Sequence, residues 1–194
     1  MVLEAANEAF KPRPGAPERV KQRWDVDPGY LLFVGALDAR KDPGSLLRAW
    51  AGARQVRPQV ELVVAGAPGR QAPSSLTGAR QLGRVDDEGL ADLYSAAGCF
   101  LFPSRYEGFG LPCLEAMACG CPVAAFRNSS LPEVVGEAGV LVEDGDAEAL
   151  GRAAAGMIGE AERWRRAGLE QANAFSWRKA ARETIAAYES VLSR

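Results

Sequence analysis

The chain has 194 residues, 47% hydrophobic and 25% charged, which suits one well-formed core and leaves no room for two complete nucleotide-binding domains. A formal net charge of -2 argues against broad binding to nucleic acid, and the longest uncharged run, 93–104, is far short of the ~20 apolar residues of a membrane span. The N-terminus shows no signal-peptide pattern, so the expected location is cytoplasmic.

Residues 1–29 contain Pro12, Pro14, Pro17 and Pro28 with little periodicity and read as a linker or lead-in. Tyr30–Val34 is a short apolar run closed by Gly35, the pattern of a buried parallel strand. Between Pro43 and Gln55, Leu46, Leu47, Trp50 and Ala51 recur at helical spacing, with Asp42 able to cap the start. Val60–Ala65 is a second strand, 67–77 a loop rich in Pro, Gly and Ser, and 80–85 a third short strand. Asp86 or Asp87 can cap a helix that carries Leu90, Leu93 and Tyr94 on one face. Cys99–Phe102 is the fourth strand, and Pro122–Phe126 and Gly139–Val142 are the fifth and sixth. A helix from Asp144 or Asp146 through Met157 and two more, at 160–174 and 176–193, complete the chain.

Short buried runs alternating with helices predict an α/β domain: a Rossmann-like, doubly wound parallel sheet of about six strands in the order 3-2-1-4-5-6, followed by C-terminal helices. A barrel would need eight repeats and more chain. In an open sheet of this kind ligands bind beyond the carboxyl ends of the strands, near the switch between strands one and four. That brings the loop after Val34 beside the loop after Phe102.

Four cysteines, Cys99, Cys113, Cys119 and Cys121, sit in one stretch and are expected to be buried, reduced thiols. Cys119-Gly-Cys121 has no second ligand pair, so no metal is expected. The absence of histidine removes the commonest general base.

The stretch from Phe102 to Val123, FPSRYEGFGLPCLEAMACGCPV, passes from a strand through the turn Glu107-Gly108-Phe109-Gly110 into a helix that Pro112 can start. Free amides and a helix dipole there suit an anion, and glycine lets it approach the backbone. Glu107 and Glu115 would repel a bare phosphate, but they can accept hydroxyls, so a phosphate carrying sugars meets both demands. In the loop GALDARKD, Arg40 and Lys41 suit a pyrophosphate at a strand's carboxyl end. That loop lacks a dinucleotide fingerprint, and no Gly-Lys-Ser/Thr element is present, which weighs against hydride transfer and nucleotide hydrolysis.

Glu107-Gly-Phe-Gly-Leu-Pro-Cys-Leu-Glu115 resembles the signature of the group 1 retaining glycosyltransferases, of the family-four type, which use nucleotide-sugar donors and adopt the GT-B fold. GALDARKD, LGRVDDEGLADLYSAAGCFLFPSRYEGFG and SSLPEVVGEAGVLVEDGD resemble the family's neighbouring segments, and Ala6–Pro12 resembles its interdomain linker. Ala36 and Asp42 depart from the pattern, standing where some members carry arginine and where many carry glycine or asparagine.

The resemblance implies that Arg40 and Lys41 hold the donor diphosphate in place of a metal. Glu107 would contact the transferred sugar, and Gly35, Gly108, Phe109, Gly110 and Leu111 would line the sugar and phosphates. Glu115 would accept the ribose hydroxyls, and Arg84 and Val85 would border the base. It further implies a donor-binding C-terminal domain that takes a GDP- or UDP-linked hexose, mannose from GDP-mannose being one candidate, with no cofactor. The acceptor would be a glycan, a lipid or a small molecule.

In this reading 1–29 is the interdomain linker, 30–175 the nucleotide-sugar-binding domain, and 176–194 a helix that packs on a missing N-terminal, acceptor-binding domain. The isolated domain is then expected to be inactive. Arg163, Arg165, Arg166, Arg178 and Lys179 make the C-terminal end basic, and peripheral contact with the inner face of a membrane is a second use for that charge. The rival readings are a sugar-nucleotide epimerase of the same fold and a non-catalytic nucleotide-sugar-binding module.

Overall fold

Six short strands form a single parallel sheet in the computed structural model, which describes residues 4–67 and 76–192. The strands are β1 (Leu31–Val34), β2 (Leu62–Ala65), β3 (Arg80–Gly83), β4 (Cys99–Phe102), β5 (Val123–Phe126) and β6 (Val140–Val142). Their order is β3-β2-β1-β4-β5-β6, every pair parallel, as the alternation predicts. β1, β2, β4 and β5 are buried on both faces and are correspondingly apolar throughout. The reversal of strand order falls between β1 and β4, where Leu31 pairs with Cys99.

The helices are α1 (Ala16–Trp24), α2 (Pro43–Val56), α3 (Asp87–Ala96), α4 (Leu111–Ala118), α5 (Leu131–Val135), α6 (Ala147–Gly159), α7 (Ala161–Asn173) and α8 (Trp177–Leu192). The carboxylates of Asp42, Asp86 and Asp146 cap α2, α3 and α6 by accepting the amides of Ser45, Gly89 and Ala149.

Several boundaries differ from expectation. Proline content suggests an irregular lead-in, yet α1 forms within it, because Pro17 lies in the helix's first turn and Ala16 and Val20, one turn apart, are both fully buried. α4 begins at Leu111, one residue ahead of Pro112, after Gly110 adopts a left-handed conformation. β3 stops at Gly83, leaving Arg84 and Val85 in the following turn. The five-residue α5 is too short for its periodicity to register in sequence. Most of the loop expected at 67–77, and Ser193 of the last helix, lie outside the described residues.

α2 and α6 pack with their backbones in contact. A Cβ on Gly151 would stand 1.7 Å from the Ala49 carbonyl oxygen, and one on Gly52 would stand 2.6 Å from that of Glu148. Helix propensity alone favours alanine over glycine by roughly 0.5–1 kcal/mol. At Gly151 the opposing atom is backbone, so the helices must separate, at a cost of ~1–3 kcal/mol or more. Gly156 lies on the same helix with nothing within 4 Å of its would-be Cβ. Gly151→Ala is therefore expected to lower the melting temperature and Gly156→Ala to raise it slightly, which paired thermal melts would check.

Candidate functional site

At the carboxyl end of the sheet, Gly66, with φ 149°, turns the chain after β2 directly against the turn after β1, where a Cβ on Gly66 would lie 2.1 Å from the Gly35 carbonyl oxygen. Gly35 in turn lies beneath Lys41, its would-be Cβ 3.1 Å from Lys41 Cε. The loop is thus packed down over the strand ends, and Lys41 is carried inward until its side chain is 6% exposed.

A buried ammonium needs a counter-charge and donor-accepting partners. Lys41 Nζ donates to Glu107 Oε1 at 2.9 Å and sits 4.1 Å over the Phe102 ring. Arg40 Nη1 reaches the same oxygen at 2.9 Å, and Ser104 Oγ donates to it at 2.5 Å. Arg40 is half exposed, whereas Glu107 is 9% exposed. Glu107 thus faces two cations, of which Arg40 is the accessible one.

The loop that carries Glu107 is fixed by residues the sequence did not single out. The Glu107 amide donates to Ser129 Oγ at 3.0 Å, and Ser130 Oγ bridges the carbonyls of Glu107 and Phe109. Asn128 Nδ2 holds the Ser104 carbonyl at 3.1 Å. Ser129 has φ 44°, a conformation that costs a non-glycine residue ~1–3 kcal/mol and persists only when its surroundings impose it. The run Asn128-Ser129-Ser130 just past a strand end was the available signal. Asp42, with φ 46°, is the second such residue; it accepts Ser45 and is pinned by Arg105 Nε at 2.8 Å. Those partners hold its carboxyl below the usual carboxylate range despite the opposing effect of burial. A left-handed position of this kind favours glycine or asparagine.

Gly110, with φ 100°, opens the mouth of α4, and a Cβ on it would press within 2.8 Å of Leu131 Cδ2. Phe109 is buried edge-on to Phe175 at 6.0 Å, while Gly108 is exposed and Leu111 half-buried. One turn into the helix, Glu115 is half-buried, and the Tyr94 hydroxyl approaches its Oε2 at 3.4 Å. Desolvation pushes the Glu115 carboxyl up to about 7, with Asp87 adding to the rise and Tyr94 and Lys41 opposing it.

The structure thus gathers Arg40, Lys41, Glu107 and Gly35 into one cluster, with Lys41 acting on Glu115 through space. Arg84 is exposed and Val85 half-buried, just past β3, whose end is tied to the turn after β2 by the Gly66 amide on the Gly83 carbonyl. All four cysteines are free and buried, and burial pushes their thiols well above the ordinary range, Cys119 to about 12. Among the described residues no group of three or more metal-ligating side chains is assembled.

An open parallel sheet with paired cations at its switch point and a glycine-led helix mouth beside them defines a Rossmann-like domain of the GT-B type. The family model described as glycosyl transferases group 1 matches residues 16–171, and the chain belongs to that family. It is 38% identical over 175 residues to the O-antigen chain mannosyltransferase B of Escherichia coli, an alignment covering 83% of this chain and 46% of the relative. It is 33% identical over 200 residues to the D-inositol 3-phosphate glycosyltransferase of Segniliparus rotundus, covering 94% and 44% respectively. Among solved structures, the sucrose-phosphate synthase of Thermosynechococcus elongatus superposes with a TM-score of 0.80 at 28% identity, covering 98% of this chain and 52% of that one. The chain spans about half the length of the relatives it matches.

Two outcomes follow from the site's electrostatics. Glu107→Gln strands Lys41 without its counter-charge, and breaking a buried pair from one side costs ~3–5 kcal/mol. The double replacement Lys41→Met/Glu107→Gln is expected to recover much of that loss in urea unfolding.

The second outcome concerns pH. Because the folded-state pKa of Glu115, about 7, lies above its ordinary 4.5, the group's contribution is full below 4.5 and lost as pH rises through about 7. The urea midpoint of the parent protein should therefore fall relative to that of Glu115→Gln over this window.

Proposed function

We propose that the chain is the donor-binding half of a retaining glycosyltransferase that takes a nucleoside-diphosphate hexose. The observation that carries this reading is the cluster in which Arg40 and Lys41 converge on Glu107 beside the mouth of α4, in a chain of this family. A diphosphate entering there displaces part of the Arg40–Glu107 contact and finds a fork, a point charge and backbone amides. As the sugar leaves, charge develops on the diphosphate, and donors already fixed in place stabilise it without reorganising. Glu107, held by three donors, is fixed in place, so it can orient the sugar hydroxyls near the reacting carbon.

Glu115 is assigned to the ribose and the Arg84–Val85 turn to the base. The name of the Escherichia coli relative favours mannose as the hexose, and GDP-mannose is the donor to try first. Four buried free thiols suit a reducing compartment and support a cytoplasmic setting. Among the described residues no helix is long and apolar enough to cross a membrane.

α8 buries only Ala180 and exposes Trp177, Ile185, Tyr188, Val191 and Leu192. We assign that face to the acceptor-binding domain of the whole enzyme, with the basic end of the chain available to an anionic membrane surface. A chain holding the donor half alone binds its nucleotide without transferring sugar, because an acceptor must be held in place for the reaction and orientation contributes ~7–11 kcal/mol.

Calorimetry of the chain with GDP and UDP tests the assignment. Loss of one charge-assisted bond of ~1.5–3 kcal/mol in Arg40→Ala is expected to weaken binding roughly tenfold to a hundredfold. Equal affinities in the parent and the half-exposed Arg40→Ala variant would remove the diphosphate from this cluster.

A further inference from the structure

Tyr94 belongs to α3 and has no place among the donor contacts assigned above. Its side chain is fully buried, yet its hydroxyl is aimed at the donor site. The ring is clamped edge-on by Phe100 of β4 at 5.4 Å and by Phe10 at 6.1 Å, in the segment that leads into the domain. A ring clamped on two sides has little freedom to turn its hydroxyl elsewhere. A buried phenol also requires a polar partner, and here that partner is Glu115 Oε2.

The contact runs from donor to acceptor, because desolvation, with the Glu115 charge next, holds the Tyr94 phenol well above its ordinary range and so keeps it protonated. At 3.4 Å it is longer than a tight bond to a carboxylate, as contacts in ligand-free sites often are before a ligand fixes the acceptor.

Other groups face Glu115 from each side. Asp87, at the start of α3, raises its pKa, and Lys41, after β1, lowers it. Asp87 is itself approached by Asn7 Nδ2 at 3.5 Å. Cys113, on α4, and Cys119, just past its end, are buried thiols pushed up and therefore neutral. Tyr94 is the hydroxyl donor in this set, and aromatic packing sets its direction.

We propose that Tyr94 is a positioning residue of the donor site, holding Glu115 ionised and in the rotamer that accepts the ribose hydroxyls. The proposal rests on the reading of Glu115 as the ribose acceptor. Ionised, Glu115 accepts from both hydroxyls of a ribose; protonated, it must use one oxygen as a donor and loses part of that recognition. Tyr94 thereby sets the pH range over which a ribonucleotide is preferred to its deoxy counterpart.

Tyr94→Phe keeps the clamped ring and removes only the hydroxyl. The test follows the Glu115 carboxyl by carbon-13 NMR through a pH titration. In parallel, calorimetry measures UDP and 2'-deoxy-UDP on both sides of neutrality, in the parent, Tyr94→Phe and Glu115→Gln chains. The expected result is a higher titration midpoint in Tyr94→Phe, because the lost bond favoured the charged form, with the ribose preference near neutrality cut by roughly two- to tenfold.

A purely structural tyrosine would move the melting temperature but neither the midpoint nor the preference, and that result overturns the proposal. So does a moved midpoint with an unchanged preference, provided Glu115→Gln alters the preference. If Glu115→Gln itself leaves the preference unchanged, the ribose reading fails and the proposal falls with it, whatever the midpoint does.

Discussion

The structure turns on one buried charge. Lys41 is carried by a loop over the end of β1 and Glu107 by a loop over the end of β4, and these are the two strands between which the sheet reverses its order. Neither group can be buried alone, since an isolated charge in a low-dielectric interior costs several kcal/mol even after relaxation. Their pairing therefore decides how both loops lie. Once Lys41 is drawn down over Phe102 and Gly35, Arg40 is left at the rim, and Ser104 completes the shell around Glu107 Oε1. A site whose charged groups are fixed before a ligand arrives has little reorganisation left when it binds.

That pre-organisation extends into the backbone. Asp42 and Ser129 hold left-handed conformations that L side chains disfavour, and each is locked by a bond to a site loop: Asp42 through Arg105, Ser129 through the Glu107 amide. The strain is offset by the rest of the domain, whose buried strands and backbone-close helix pair α2–α6 supply the stability that irregular loops lack. Strained positions at a ligand site, supported by a rigid scaffold, are the arrangement in which loops carry function and the sheet carries stability.

Two chemistries stand side by side at this end of the sheet. Cations and the mouth of α4 suit phosphate, while Glu107 and Glu115 suit hydroxyls, and the two carboxylates differ in environment. Glu107 has three donors on one oxygen, two of them cationic. Glu115 has one long contact from a phenol and lies in surroundings that favour its neutral form. Family membership agrees with a ligand that carries both phosphates and sugars, and the relatives' names agree with transfer of a sugar. The chain covers about half the length of those relatives.

Much of this was written in local pattern. The order of the sheet, the strand Cys99–Phe102 and the caps Asp42 and Asp86 are visible in the sequence because burial on both faces demands continuous apolar runs and because caps act on their own neighbours. Arg40, Lys41, Glu107 and Glu115 could be picked out as candidates for the same reason: each follows a recognisable strand or starts a helix.

What the sequence did not reveal depends on partners distant along the chain. α1 is stabilised by burial against α3 rather than by its own proline-flanked residues, so only packing shows it as a helix. Ser129 gains its role from an amide 22 residues away, and Tyr94 looks like one more apolar residue on a helix face until Glu115 is brought to its hydroxyl. Residue type and spacing determined which groups could bind a sugar phosphate. The folded sheet alone decided that Lys41 would be buried, Arg40 left accessible and Glu115 poised near neutrality, because exposure and charge environment are properties of the surrounding atoms and not of the residue.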